Sequence, residues 1–344
     1  MKITQSKDKA EMIRSVKHFL MQYAIYLVLV AIIVTIVILE PSILSVRNAT
    51  FILQQAAPKL IIALGLAGLI LLGGTDLSAG RMVGIAGVIC ASLLQKPDYA
   101  LRIFKTMAPL PIIVPLLIAI GVCVFFAMMH SMLISFFQIA PFIASLGMQM
   151  IVYGVMSLYF DGVNNSSPIG GFDTRFTKIA QGSIQMGSFR LPWIVIYALV
   201  ITFFFWVLWY RTTLGRNMYA VGGNKEAAIV SGVNTKRVII LVYILAGVAY
   251  ALAGFLDAGR TGSATNGLGE GYELDAIASC VVGGVSLRGG VGRISGVVTG
   301  VLIFQVLSYC LVYMDINPYI QFIIKGMIII FATVVDTQKY IKKR

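Results

Sequence analysis

The chain has 344 residues, of which 58% are hydrophobic and 12% are charged, and its mean hydropathy is +0.89. This composition excludes a soluble globular protein and indicates an integral membrane protein that crosses the lipid bilayer several times. The formal net charge of +13 does not predict a nucleic-acid partner, because most basic residues lie in the two tails and in one internal loop, the distribution typical of cytoplasmic segments.

The two ends of the chain predict a retained first helix and a cytoplasmic tail. Residues 1–18 form a basic N-terminal segment, and an apolar run follows at 19–39, which at about twenty residues is long enough to span the bilayer. No small-residue cleavage site follows this run, which argues against a removable signal peptide. Residues 339–344 are a basic tail. We therefore expect a transmembrane domain at 19–338 with both termini in the cytoplasm.

Nine further apolar runs follow the first one. They cover residues 58–72, 82–94, 109–129, 141–160, 192–210, 238–256, 274–285, 294–312 and 318–335. Together the runs predict an all-α, polytopic bundle of about ten transmembrane helices, and the number falls to eight or nine if the short runs are re-entrant. The polar, charge-balanced interval at 161–191 predicts a periplasmic loop.

Two glycine-rich segments interrupt these runs and resemble each other. Residues 73–80 and 283–290 share four identities in eight positions, and Arg293 matches Arg81 after a two-residue insertion. Short helices broken by glycines and a charge are typical of a transport path, and internal repeats are common in transporters. We predict discontinuous helices and an internal repeat with both copies on the cytoplasmic side. Parallel and inverted halves stay open, and a tight loop at the membrane face is the alternative.

The loop at 211–237 contains a short predicted helix that needs a partner. Asn224 can cap its N-terminus, Glu226 favours the positive end of its dipole, and Gly232 can close it in the left-handed conformation. A helix of about two turns is unstable alone in water, and the small residues after Glu226 allow another surface to come close. We predict a docking helix, and an ordinary solvated loop is the alternative.

Lys325 lies inside the last apolar run, where a charge is costly and therefore marks a candidate functional residue. Its expected partners are Asp76, Asp275 and Glu273. A buried ion pair that orients helices is the alternative to direct contact with a substrate. Asp257 and Glu270 are expected at the outer mouth, where they could hydrogen-bond hydroxyl-rich ligands.

The sequence contains no reactive constellation of an enzyme. The patterns H-E-x-x-H, G-x-S-x-G and G-x-x-x-x-G-K-[ST] are all absent. We predict no catalytic residue and no metal site, and we expect that the chain does not hydrolyse ATP. If it drives transport, the energy comes from a partner or from an ion gradient.

Several motifs together resemble one known family. Residues 226–232 look like the EAA-x-x-x-G motif by which permease subunits of bacterial ABC importers dock onto their ATPase, although the usual later Leu-Pro is missing. The other motifs are Asp76-Leu77-Ser78-x-Gly80, Gly215-Arg216-Asn217, Ala220-Val221-Gly222-Gly223-Asn224, Gly262-Ser263-Ala264-Thr265-Asn266, Tyr272-Glu273-Leu274-Asp275-Ala276-Ile277-Ala278, Val281-Val282-Gly283-Gly284-Val285-Ser286 and Asn317-Pro318-Tyr319. From about residue 50 to the tail, the chain resembles the ribose and galactose permease family.

The resemblance implies a permease subunit in the bacterial inner membrane, surrounded by lipid. Its implied partners are a second copy of itself, a cytoplasmic tandem-domain ATPase and a periplasmic sugar-binding protein. The chain itself would bind no cofactor, because ATP and Mg belong to the partner ATPase. The expected sugar is a monosaccharide, galactose rather than ribose.

The motifs also imply two sets of site residues. The expected ATPase-docking residues are Gly215, Arg216, Gly222, Gly223, Asn224, Glu226, Ala227, Ala228 and Gly232. The residues expected along the translocation path or its gate are Asp76, Ser78, Arg81, Asn266, Glu273, Asp275 and Lys325.

Two other classes of function compete with this reading. A secondary transporter would couple sugar movement to protons or sodium through Asp76, Asp275 and Lys325, and it would need no docking helix. A structural or signalling membrane protein is disfavoured by the broken segments and by the deep position of Lys325.

Overall fold

The structure is a computed structural model that describes residues 30, 31, 33–164, 166–187 and 189–341. The helices are α1 (Val46–Leu71), α2 (Ala79–Leu93), α3 (Ile113–Ser135), α4 (Pro141–Asn164), α5 (Thr174–Gln181), α6 (Trp193–Arg211), α7 (Thr213–Gly223), α8 (Lys225–Val230), α9 (Thr235–Thr261), α10 (Tyr272–Val282), α11 (Ile294–Tyr313) and α12 (Pro318–Ile341). Residues 33–39 are also helical, a 3₁₀ turn covers Pro41–Leu44, and the strands are β1 (Ser183–Met186) and β2 (Phe189–Pro192).

Six helices of the described part are long and apolar enough to cross a bilayer, which makes the chain a multi-pass helical membrane protein. They are Val46–Leu71, Ile113–Ser135, Pro141–Val163, Trp193–Arg211, Thr235–Thr261 and Ile294–Tyr313. Ala79–Leu93 and Pro318–Val334 are apolar but shorter. Most of the predicted first span, at 19–39, lies outside the described residues. The total of about ten helices therefore stays a prediction.

The chain divides into two compact units. The larger unit comprises Val46–Leu302, and the smaller one comprises the residues up to Ser45 together with those from Ile303 onward. In the smaller unit, Ile36, Ile43 and Cys310 form an apolar cluster. The polar cluster and the docking helix described below both belong to the larger unit.

Helix α9 forms the centre of the larger unit and packs against α1, α2 and α3. Small residues stand at each contact. Gly65 of α1 faces Ala246 and Ala249, and Gly254 of α9 lies so close to α2 that a side chain would collide with the Val83 carbonyl oxygen. Close backbone approach is a main source of attraction between helices in lipid, so these small residues determine how tightly the core packs.

Helix α2 begins part of the way along α9 and is a half-length helix. Contacts with α9 give its position, because Gly68 near the end of α1 lies beside Val242, whereas Val83 near the start of α2 lies beside Gly254. Residues 72–78 therefore run back along α9 without forming a helix. Helix α2 and the non-helical segment before it therefore form a discontinuous helix, as the glycines and the charge in residues 73–80 predicted.

The two glycine-rich segments have similar local structures. Gly73 and Gly284 both have positive φ angles just after a helix, at +81° and +83°. The Asp76 side chain accepts a hydrogen bond from the Ser78 N–H, and the Ser286 hydroxyl accepts one from the Arg288 N–H. This likeness is consistent with an internal repeat, which stays a prediction.

The interval at 161–191 contains more structure than the predicted loop. It holds α5 and a hairpin in which Ser183 pairs with Pro192 and Met186 with Phe189, a small exception to the all-α prediction. Asp173 caps α5 by accepting a hydrogen bond from the Arg175 N–H at 2.8 Å. The Arg175 side chain also hydrogen-bonds the Asp173 carboxylate and holds its pKa below the usual value.

We predict that Gly254→Ala lowers the free energy of unfolding by about 1–3 kcal/mol, because the added methyl group overpacks the contact between α9 and α2. Gly121→Ala in α3 is the matched control, since open space surrounds Gly121 and alanine is the better helix former by up to about 1 kcal/mol. Thermal unfolding in detergent measures both variants. Equal midpoints for the two would contradict the proposed packing.

Candidate translocation and docking sites

The N-terminal ends of α2 and α10 meet around a buried carboxylate. A side chain at Gly80 would collide with the Glu273 carboxylate and with the Gly269 carbonyl oxygen. Glu273 is only 6% exposed, and its Oε2 accepts no hydrogen bond from the described residues. Helix N-termini carry partial positive charge, so this position stabilises a buried negative group.

Arg81 brings several predicted path residues together. Its Nη1 lies 3.4 Å from the Asn266 carbonyl oxygen, and its Nη2 lies 3.7 Å from Glu270 Oε1. The guanidinium also lies 4.3 Å from the centroid of the Tyr153 ring, where a cation is attracted to the aromatic face. Arg81, Asn266 and Glu273 therefore belong to one polar cluster, as the motifs predicted.

Asp275 extends this polar cluster through Lys59, a residue that the sequence reasoning did not include. The Lys59 Nζ lies 3.0 Å from Asp275 Oδ2, and it also lies over the Tyr272 ring. The Tyr272 hydroxyl in turn donates a hydrogen bond to Asp257. The sequence did contain a signal for Lys59, because a lysine directly after Pro58 at the start of an apolar run is a charge that needs a partner.

The expectation that Asp257 and Glu270 are both available to hydrogen-bond a ligand at the outer mouth is wrong for Asp257. Asp257 is fully buried, with one carboxylate oxygen held by Arg260 and the other by Tyr272. It therefore fixes the end of α9. Glu270 is exposed, with 69% of its side chain accessible, and can meet a ligand.

Asp76 and Ser78 lie apart from Arg81 in a second buried polar group. Ser78 donates two hydrogen bonds to Asp76 Oδ1, from its N–H at 2.9 Å and from its hydroxyl at 2.5 Å. The His130 Nδ1 lies 3.7 Å from the same oxygen. Sequence reasoning missed His130 because it stands alone in an apolar run.

Lys325 belongs to the smaller unit. Its ammonium group lies 5.7 Å from the centroid of the Phe304 ring. Asp275 is paired with Lys59, and Asp76 lies beside His130. A carboxylate partner for Lys325 stays a prediction.

The predicted docking helix is present as α8. Asn224 caps it by accepting a hydrogen bond from the Ala227 N–H at 2.9 Å, and Gly232 closes it with a φ angle of +83°. Glu226, Ala227 and the apolar Val230 are exposed, and Val230 is 89% accessible. Ala228 is buried against the chain itself, and Arg216 is exposed on the neighbouring helix α7. The exposed face of α8 is free of large polar side chains other than those at its N-terminus.

Of the other predicted docking glycines, Gly215 and Gly222 are packed closely against backbone, whereas Gly223 is exposed. A side chain at Gly215 would collide with the Trp209 carbonyl oxygen, and one at Gly222 would collide with the Leu71 carbonyl oxygen. Gly223 packs against Gly290, because a side-chain carbon on Gly290 would lie 2.8 Å from the Gly223 α-carbon. Close backbone contacts at these glycines therefore fix the position of the docking loop against the rest of the larger unit.

We call the contact among Leu71, Gly73, Gly222, Gly223, Gly289 and Gly290 the glycine junction. The Gly290 N–H donates a hydrogen bond to the Leu71 carbonyl oxygen at 2.8 Å. The Tyr219 hydroxyl of α7 adds a hydrogen bond to the Gly292 carbonyl oxygen. The junction connects the end of α7 directly to both glycine-rich segments.

The docking helix and the 161–191 interval lie at opposite ends of α9. Helix α8 precedes the start of α9, whereas Ile169 pairs with Ala264 just beyond its end. The Arg81 cluster lies nearer the second end, because Tyr272 contacts Asp257 there. A polar cluster within an apolar helical bundle, with a separate exposed helix at the other end, is the arrangement expected of a membrane permease.

The comparisons with known proteins agree with this class. Residues 48–333 match the family described as branched-chain amino acid transport system / permease component, and the chain belongs to that family of ABC importer permeases. No solved structure matches the chain significantly.

Curated relatives are similar over almost their whole length. The galactose/methyl galactoside import permease protein MglC of Escherichia coli (strain K12) is 50% identical, with 96% of this chain and 98% of the relative covered. MglC of Haemophilus influenzae is 49% identical, with 94% and 96% covered. The ribose import permease protein RbsC of Bacillus subtilis is 34% identical, with 91% and 92% covered.

We predict that Lys59 and Asp275 depend on each other for stability. Lys59→Gln and Asp275→Asn each remove one charge of an ion pair between two mostly buried side chains, so each destabilises the protein. The double variant should recover about 1–3 kcal/mol relative to the sum of the two. Thermal unfolding of all four proteins gives this coupling free energy. Additive single effects would show that the pair contributes nothing.

Proposed function

We propose that the chain is the permease subunit of an ATP-driven importer for a monosaccharide, galactose or methyl galactoside. Identity of about one half to galactose permeases, over nearly the full length of both chains, carries this proposal. The family description names branched-chain amino acids. The relatives favour a sugar because the ribose permeases are also similar, at 33–34% identity.

The Arg81 cluster supports a neutral, hydroxyl-rich solute. Carboxylates and amides hydrogen-bond sugar hydroxyls, and the faces of aromatic rings pack against the apolar side of a sugar ring. The cluster offers the Arg81 guanidinium together with two groups that it contacts, the exposed Glu270 and the ring of Tyr153. We propose that the translocation path passes this cluster, with Asn266, Glu273 and Asp275 as further lining or gating residues.

The proposed energy source is a separate ATPase that binds the exposed face of α8. Glu226 lies at the N-terminus of this helix, and apolar side chains at Ile229 and Val230 are exposed beside it. ATP and Mg would be bound by that partner. Two copies of the permease, a tandem-domain ATPase and a periplasmic sugar-binding protein complete the proposed complex in the bacterial inner membrane, with both permease termini in the cytoplasm.

The proposed mechanism begins with the movement of α8 when the ATPase closes. Because α8 follows α7 directly, a shift of α8 moves the end of α7. The glycine junction then transmits that shift to residues 72–78 and 284–290, because backbone atoms are in contact there without intervening side chains. Both segments lead into helices, α2 and α11, so the shift reaches the proposed path.

We predict that Glu226→Lys abolishes coupling while the permease still folds. The reversed charge faces the proposed ATPase groove, and the Asn224 cap that stabilises α8 remains. Sugar uptake should fall by about tenfold or more, since loss of an interfacial charge pair costs 2–5 kcal/mol. Asp98→Lys, a charge reversal at an exposed residue in the loop after α2, is the control and should leave uptake unchanged. Normal uptake by the Glu226 variant would contradict the docking role of α8.

We predict that uptake of labelled galactose persists when an uncoupler collapses the proton gradient and cellular ATP is maintained. Cells that carry this chain and its proposed partners provide the measurement, and cells without the chain provide the background. Uptake that disappears with the gradient would instead favour an ion-coupled transporter. Asp76, Asp275 and Lys325 would then be the residues to replace.

A further inference from the structure

Five buried polar atoms in one place lack a hydrogen bond of good geometry among the described residues. They are Asp76 Oδ2, His130 Nδ1, His130 Nε2, Tyr243 Oη and Tyr250 Oη. The four side chains are at most 3% exposed. A polar group buried without a hydrogen bond costs about 1–3 kcal/mol, so several of them in one cluster require a partner.

The four side chains come from the non-helical segment 72–78 and from two helices beside it. Asp76 belongs to that segment, His130 to α3, and the two tyrosines stand two turns apart on one face of α9. The His130 and Tyr243 rings pack edge to face with centroids 4.6 Å apart. Only weaker direct hydrogen bonds are present, from Tyr250 to the Asp76 side chain and from His130 to the Pro141 backbone, and Tyr243 has neither. The cluster is therefore the place where segment 72–78 meets α3 and α9.

We propose that this cluster is a binding site for internal water. His130 Nδ1 and Asp76 Oδ1 are 3.7 Å apart, too far for a direct hydrogen bond, and one water oxygen can lie about 2.8 Å from both. Buried water of this kind typically forms about three hydrogen bonds to polar groups that are otherwise unsatisfied.

Water fits the chemistry of these groups better than a metal cation does. Each tyrosine hydroxyl both donates and accepts, neutral His130 has one donor and one acceptor, and Asp76 Oδ2 accepts. A monovalent cation would satisfy only the acceptors and would offer nothing to the hydroxyl hydrogen of Tyr243, which has no direct partner. Water satisfies both kinds of group.

The role of this site rests on the proposed function. Segment 72–78 begins at the glycine junction and ends at α2, so it must shift if motion of α7 is to reach the path. Direct hydrogen bonds to α3 and α9 would have to break during such a shift. Bridging water can exchange partners at little cost, and it therefore keeps the segment attached while it moves.

Hydroxyl-radical footprinting with X-rays tests the site directly on the full-length permease in detergent. Radicals form from bound water, so Tyr243 and Tyr250 should be oxidised several-fold faster than Phe160 and Phe176 after correction for intrinsic reactivity. The two phenylalanines are the controls because they are equally buried, at 1% or less, in apolar surroundings. Equal rates would overturn the proposal and would leave the proposed transport function untouched.

The sign of a stability change provides a second test. Tyr243→Phe should lower the unfolding midpoint by about 2–4 °C, because it removes hydrogen bonds to the internal water. The partly buried Tyr197→Phe is the control and should change little. A raised midpoint in the Tyr243 variant would overturn the proposal, since removal of a truly unpaired hydroxyl is stabilising.

The last test distinguishes water from a cation. The unfolding midpoint is measured in sodium, potassium and choline chloride at equal ionic strength, for the natural chain and for Asp76→Asn. A water site predicts the same midpoint in all three salts. A midpoint that rises with sodium or potassium only while Asp76 is present would overturn the water site in favour of a bound cation.

Discussion

The larger unit depends on backbone contact at the glycine junction. Leu71, Gly222 and Gly290 approach so closely that one added methyl group would collide with a carbonyl oxygen. Side chains between moving parts can absorb a displacement by changing rotamer, whereas touching backbones must move together. At the junction, the docking loop therefore touches both the segment before α2 and the segment before α11, and the three must move together. The small size of glycine is required here for contact, and at Gly73 and Gly290 also for the positive φ angles.

Buried charge determines where the proposed path lies relative to this junction. In an apolar bundle each charged side chain needs a partner, and the pairs are arranged along helix ends: Lys59 with Asp275, Arg260 with Asp257, and Arg81 with Glu270. Glu273 has instead the N-termini of α2 and α10 beside it. These helices are interrupted, so their ends reach the interior of the bundle. The broken helices thus supply the polar surroundings that a continuous span would have kept at the membrane surface.

Local signals in the sequence predicted the local structures well. Asn224 caps the docking helix and Gly232 ends it with a positive φ angle, as predicted. The short apolar runs correctly predicted the short helices α2 and α10. Helix α1 was predicted too short because its first turns carry Arg47, Asn48, Gln54 and Gln55 and lack an apolar run, although packing makes them helical through Pro58. Lys59 and His130 were missed for a different reason. Their partners, Asp275 and Asp76, lie more than fifty residues away in the sequence. Local residue spacing cannot predict such long-range pairs.

The arrangement of the polar cluster also bears on how tightly a permease of this kind can hold its solute. Arg81 already contacts Glu270, Asn266 and Tyr153, so a sugar hydroxyl must compete with contacts that the protein makes within itself. Binding of a sugar would then exchange one set of hydrogen bonds for another and gain little free energy. A translocation path requires such weak binding, because a solute that is held strongly cannot leave. In the proposed complex, selectivity would then come from the separate binding protein that delivers the sugar, without slowing passage through the permease.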